Sequence, residues 1–92
     1  MEINTEIRPR LSPHYVFRWE ASQDAHILLY PEGLIKLNAS ASAVLARCDG
    51  ARTVATIIAE LQASFPAQGA EIADGVRAFV DLACDKGWLR AA

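Results

Sequence analysis

A chain of 92 residues has room for one domain and no second core. Its hydrophobic content of 52% suits an efficient core or an adhesive surface, while a net charge of −2 sets up no long-range field toward nucleic acid or an acidic membrane. No apolar run approaches the ~20 residues of a membrane span, and the charges at Glu2, Glu6, Arg8 and Arg10 do not fit a signal peptide; a soluble cytoplasmic protein is expected.

Residues 1–13 mix charge with Pro9 and Pro13, which cannot donate to a ladder, and read as a flexible or loosely docked arm ahead of a single domain over residues 14–92. Residues 15–20 alternate, with Tyr15, Phe17 and Trp19 expected on the inward face. A polar turn over 21–25 leads to a strand at 26–30, apolar on both faces and therefore central. Pro31-Glu32-Gly33 follows as a tight turn, with glycine available for a positive φ, and residues 34–37 complete a three-stranded antiparallel meander. Asn38 is an N-cap for a helix through Ala41, Val44, Leu45 and Cys48, closed by Asp49-Gly50. Thr53 caps a second helix that Pro66 ends. A third helix is predicted over about 71–86, with Ile72, Val76, Phe79, Val80 and Ala83 as its core stripe and Gly87 after it. Trp88-Leu89 then fold back as an apolar clasp. The fold class is α+β, a three-stranded antiparallel sheet followed by three helices in a winged-helix-like order.

Little in the chain suits catalysis. His14 and His26 have no partner ligands at metal spacing, so no metal site is expected. Ser40 and Ser42 lack a nucleophile's glycine elbow, and Asp81 and Asp85 suit a solvated helix face. The glycines form no phosphate loop. Cys48 and Cys84 show no metal or redox spacing and read as buried free thiols. Neither enzyme activity nor a cofactor is expected. A winged-helix DNA-binding regulator is the alternative from another class. Its reading helix would carry Glu71, Asp74, Asp81 and Asp85 against Arg77 and Lys86, and phosphates would be repelled.

Peptide capture suits the pattern better. Residues 34–37 lie at a sheet edge, where unpaired backbone groups can accept another strand, and Lys36 is the only charge there. The third helix supplies a second wall by one of two flanks: Gly75, Ala78 and Leu82, or Arg77, Val80 and Cys84. The apolar edge also allows self-pairing into a homodimer.

Several short motifs add a resemblance. Arg8-Pro9-Arg10-Leu11, Arg18-Trp19 and Leu28-Leu29-Tyr30-Pro31-Glu32-Gly33 come first. Leu37-Asn38 with Ala41, Cys48-Asp49-Gly50 with Thr53-Val54, and Gly87-Trp88-Leu89 follow. In order and spacing they resemble the pyrroloquinoline quinone (PQQ) biosynthesis protein D family, from residue 8 to residue 89. That family is the founding type of the RiPP recognition element, similar in topology to a winged helix but binding peptide rather than DNA. The resemblance implies a non-catalytic chaperone. Its ligand would be the precursor peptide PqqA, whose Glu and Tyr side chains are crosslinked into the cofactor. Its second partner would be the radical S-adenosylmethionine enzyme PqqE, which forms the first carbon–carbon bond. It further implies that the peptide adds as a strand at Leu34, Ile35, Lys36 and Leu37 and packs on the third helix at Val76, Arg77, Phe79, Val80 and Ala83. Lys36 and Arg77 are expected to meet acidic groups of the peptide. The proline arm and the tip at 31–33 are candidate contacts for the enzyme.

Overall fold

The computed structural model describes residues 4–92. Its central feature is a meander in which β2 (Val16–Glu20; the short strand β1 comes before it) pairs antiparallel with β3 (Ala25–Tyr30), and β3 with β4 (Gly33–Lys36). The strand order β2-β3-β4 leaves β4 on an edge, as expected, and β2 on the other among the described residues. Adjacent residues of a strand face opposite ways, and on β3 both Ile27 and Leu28 are fully buried, so the central strand is covered on both sides. Between β2 and β3 the chain turns through a 3-10 segment, Ala21–Gln23, and Asp24 at φ 50°. Aspartate tolerates that left-handed position better than most side chains.

Two expectations for this sheet change. Gly33 does not take a positive φ; it is the first rung of β4, opposite Tyr30, and Pro31-Glu32 alone make the turn. Trp19 keeps the expected face with Phe17 and shares a cleft with Ala39, Ser42 and Ala43, yet it is 53% exposed rather than enclosed. It meets His26 edge-on at 5.1 Å, and His26 in turn stacks on Phe17 at 4.9 Å.

The three helices are α1 (Ala39–Leu45), α2 (Val54–Ser64) and α3 (Gly69–Asp85). Asn38 caps α1, its Oδ1 accepting from the Ala41 amide at 2.8 Å, and the Thr53 hydroxyl accepts from the Thr56 amide at 3.1 Å to cap α2. α1 stops at Leu45, short of Asp49-Gly50, because the backbone tightens into successive turns from Ala46 onward. Gly50 still adopts φ 80°, but outside the helix. Asp49 caps the next turn instead. Its carboxylate accepts from the Ala51 and Arg52 amides, which holds its pKa below the ordinary carboxylate value. α3 ends in a Schellman motif, with Gly87 at φ 81° and the Trp88 amide donating to the Ala83 carbonyl at 2.8 Å. The core gathers Leu28 and Leu37 from the sheet with Val44, Leu45, Val54, Ile57, Leu61, Val76, Val80, Ala83 and Leu89.

The segment read as an arm is built into the fold over most of its described length. β1 (Pro9–Leu11) pairs antiparallel with β5 (Leu89–Ala91) as a second sheet, Leu11 opposite Leu89. Residues 1–3 of that expected arm lie outside the described residues. Docking has a hydrogen-bonding cause: the first amides of a helix lack partners inside it. Here Val54 and Ala55 at the start of α2 donate to the Ile7 and Thr5 carbonyls at 3.0 Å each. The Gly50 amide donates to the Pro9 carbonyl at 3.0 Å, and Pro9 is fully buried. Proline's missing donor costs nothing on the outer edge of a two-stranded ladder.

Candidate functional site

β4 passes through Leu37 into Asn38, and Asn38 opens a groove of about 640 Å3 between α1 and α3, lined also by Leu61 and Phe65 from α2 and its end. The free edge of the sheet and the groove therefore share an end. The α1 wall is low because Ala39, Ala41 and Ala43 carry only methyl groups. Opposite, α3 presents Glu71, Ile72, Gly75, Val76 and Phe79. Their spacing of three and four residues puts them along one face of the helix. The flank of α3 that lines the groove is thus the Gly75 side. A Cβ built at Gly75 would meet no atom within 4 Å, so this glycine is not required by packing inside the domain.

The residues expected to bind peptide divide into four groups. Ile35 lies opposite Leu28 on the helix-facing side of the sheet, and Val76 and Phe79 line the groove. Leu34 and Lys36, opposite Leu29 and Ile27, project from the other face, where Leu34 is 52% exposed. Leu37, Val80 and Ala83 are enclosed in the core and offer little or no surface of their own. Arg77 lies off the groove and pairs with Asp74 at 3.1 Å. The two cations expected to meet acidic groups therefore do not line the groove. Glu71, Gly75, Phe65 and the start of α1 line it instead. The small residues of the Gly75 flank were visible in the sequence as a signal; Phe65 and Glu71 carried none.

The site's chemistry is that of binding. Among the described residues, no three metal-ligating side chains gather. Burial pushes the Cys48 thiol up to about 12, with nearby Cys84 and Asp49 acting in the same direction, and its Sγ donates to the Val44 carbonyl at 3.2 Å. Burial likewise raises the Cys84 pKa, helped by Asp81. Both groups are free thiols and neither is poised as a thiolate nucleophile. No helix of the described residues is long and apolar enough to cross a membrane.

A meander running into three helices, with a groove beside its free edge, is the architecture of a RiPP recognition element. The solution structure of the PqqD part of Methylobacterium extorquens PqqCD, described as a functional and stand-alone recognition element of that kind, is similar with a TM-score of 0.74. It is 30% identical, and the match covers 89% of this chain and 87% of that one. The family profile Coenzyme PQQ synthesis protein D (PqqD) matches residues 25–89, and the chain belongs to that family. Curated relatives carry the name PqqA binding protein. One from Stutzerimonas stutzeri is 46% identical over 96% of this chain and 95% of its own length. Another, from Pseudomonas fluorescens, is 41% identical over the whole of both chains. These relatives are named for binding, and the chain is a non-catalytic binding protein.

Proposed function

We propose that this protein binds the precursor peptide PqqA in PQQ synthesis and presents it to the radical S-adenosylmethionine enzyme PqqE in the cytoplasm. The observation that carries the reading is the free edge of β4 running directly into the groove between α1 and α3. An extended peptide adds to Gly33–Lys36 as a fourth strand and lays its side chains against Ile72, Gly75, Val76 and Phe79. Magnitudes show why both parts are needed. Alternate residues of an edge strand turn their backbone groups outward, so a strand this short offers about four hydrogen bonds. At about 1 kcal/mol net each, these give roughly 4 kcal/mol, a millimolar complex on its own. Any tighter binding comes from burying apolar side chains in the groove, at about 25 cal/mol per Å2. Backbone pairing tolerates many sequences, and the groove selects among them.

The test is an isotope-edited NMR titration of the labelled protein with PqqA. Shifts are expected at Gly33–Lys36 and along Ile72, Gly75, Val76 and Phe79. Shifts confined to α1 and α2, or none at all, would sink strand addition. For the second partner, the peptide-loaded protein is expected to bind PqqE and to raise its turnover of PqqA. Binding to the enzyme with no effect on peptide affinity would reduce the protein to a structural subunit.

A further inference from the structure

The groove is electrostatically one-sided. Of all the side chains that line it, Glu71 alone carries a formal charge; the others are apolar or neutral polar. Among the described residues its carboxylate takes part in no ion pair or side-chain hydrogen bond, whereas the nearby Asp74 is held by Arg77 at 3.1 Å, away from the groove. The remaining cations that form ion pairs are engaged elsewhere: Arg18 with Glu20, and Arg47 and Arg52 with Glu60 and Asp49. Glu71 lies in the first turn of α3, at the end of the groove-lining face of that helix.

This arrangement has a consequence once a peptide covers the groove. Water is then excluded from one side of Glu71, and an unpaired carboxylate against the apolar walls loses hydration with nothing in return. A peptide cation at that point restores the lost interactions, and a guanidinium does so through two parallel hydrogen bonds. A peptide carboxylate there adds like-charge repulsion.

We infer that Glu71 is a specificity-determining residue of the groove, taking a Lys or Arg side chain of the bound peptide and rejecting Asp or Glu at the same point. The inference deepens the proposed function and rests on the groove being the peptide site. It also reverses the charge expected from the sequence, since Lys36 and Arg77 had pointed to acidic groups on the peptide.

Calorimetric titration of PqqA into the wild type, Glu71→Gln, Glu71→Lys and Asp74→Asn, at low and moderate salt, tests it. Glu71→Gln is expected to weaken binding roughly threefold to tenfold and to flatten its salt dependence. Glu71→Lys should weaken it further, and Asp74→Asn should leave it unchanged. Peptides with each Lys or Arg replaced in turn by Gln or Glu locate the partner. One replacement should have no further effect in Glu71→Gln, and its Glu version should bind Glu71→Lys better than the parent peptide does. Glu71 is exposed, so these variants are expected to fold, and a melting curve for each checks it. Wild-type affinity in both Glu71 variants, or equal effects of every peptide cation with and without Glu71, overturns the inference. Gly75→Leu separates the two levels. If it binds PqqA normally, the groove itself is not the peptide site. If it loses binding while Glu71→Lys does not, only the role of Glu71 falls.

Discussion

Gly75 lies inside the longest helix of the protein, a position where glycine is a poor choice. Relative to alanine it costs about 0.5–1 kcal/mol in a helix interior, through lost backbone entropy and exposed peptide groups. Close internal packing would account for it, but a Cβ at Gly75 meets nothing within 4 Å. Gly75→Ala is therefore expected to stabilise the free protein by about 0.5–1 kcal/mol, which raises Tm by roughly 2–8 °C for a domain of this size. The same methyl projects into the groove from its α3 wall, where a peptide backbone would otherwise approach the helix. Overpacking at a fitted contact costs about 1–3 kcal/mol, so PqqA affinity should fall about tenfold or more. Gly75→Leu should fold and lose measurable binding. Thermal melts followed by calorimetric titration of the same samples read both effects. A lower Tm for Gly75→Ala would mean that the helix needs the glycine for itself. A higher Tm with wild-type affinity for both variants would refute the link between this glycine and the ligand.

Two further outcomes follow from the fold. Deleting residues 1–11 removes β1 and the carbonyls of Thr5, Ile7 and Pro9 that accept from Ala55, Val54 and Gly50. With each lost hydrogen bond worth about 1 kcal/mol, the deletion should lower stability by several kcal/mol in a denaturant titration; an unchanged midpoint would show that the strand is a passive appendage. Cys48 contributes to the alkaline limb of stability. Its folded-state pKa is raised from 9.0 to about 12, so its contribution is intact below pH 9 and is lost as pH climbs toward 12, because the unfolded chain releases the proton first. Melting temperature should fall across that window, and Cys48→Ala should flatten the fall.

What the sequence disclosed was whatever local chemistry decides. Asn38 and Thr53 announce helix starts because their side chains satisfy amides only two or three residues on, and Gly87 announces an end because its left-handed φ suits few other residues. The central place of β3 follows from apolar residues on both faces. The pairing of β1 with β5 is different, since it joins Leu11 to Leu89 across nearly the whole chain and leaves no periodic mark on either segment. Alternation placed Trp19 with Phe17, and they do share a face, but alternation cannot say how completely a neighbouring helix covers each side chain on it. The groove was half legible. The small residues on one flank of α3 were plain, while the choice between flanks depended on how α3 packs beside α1. Phe65 and Glu71 enter the groove through that packing alone.

The pairing of β1 with β5 has a further consequence, for how such a unit travels between proteins. The amide of Ala92 donates to the Arg8 carbonyl at 2.9 Å, so the first and last strands lie side by side, and no residue of either strand lines the groove. A fold whose outermost strands pair with each other, away from its binding groove, can be joined to another polypeptide without being pulled apart. The recognition unit of M. extorquens PqqCD, described as functional by itself, fits that expectation. The stitch that closes this small domain also makes it portable.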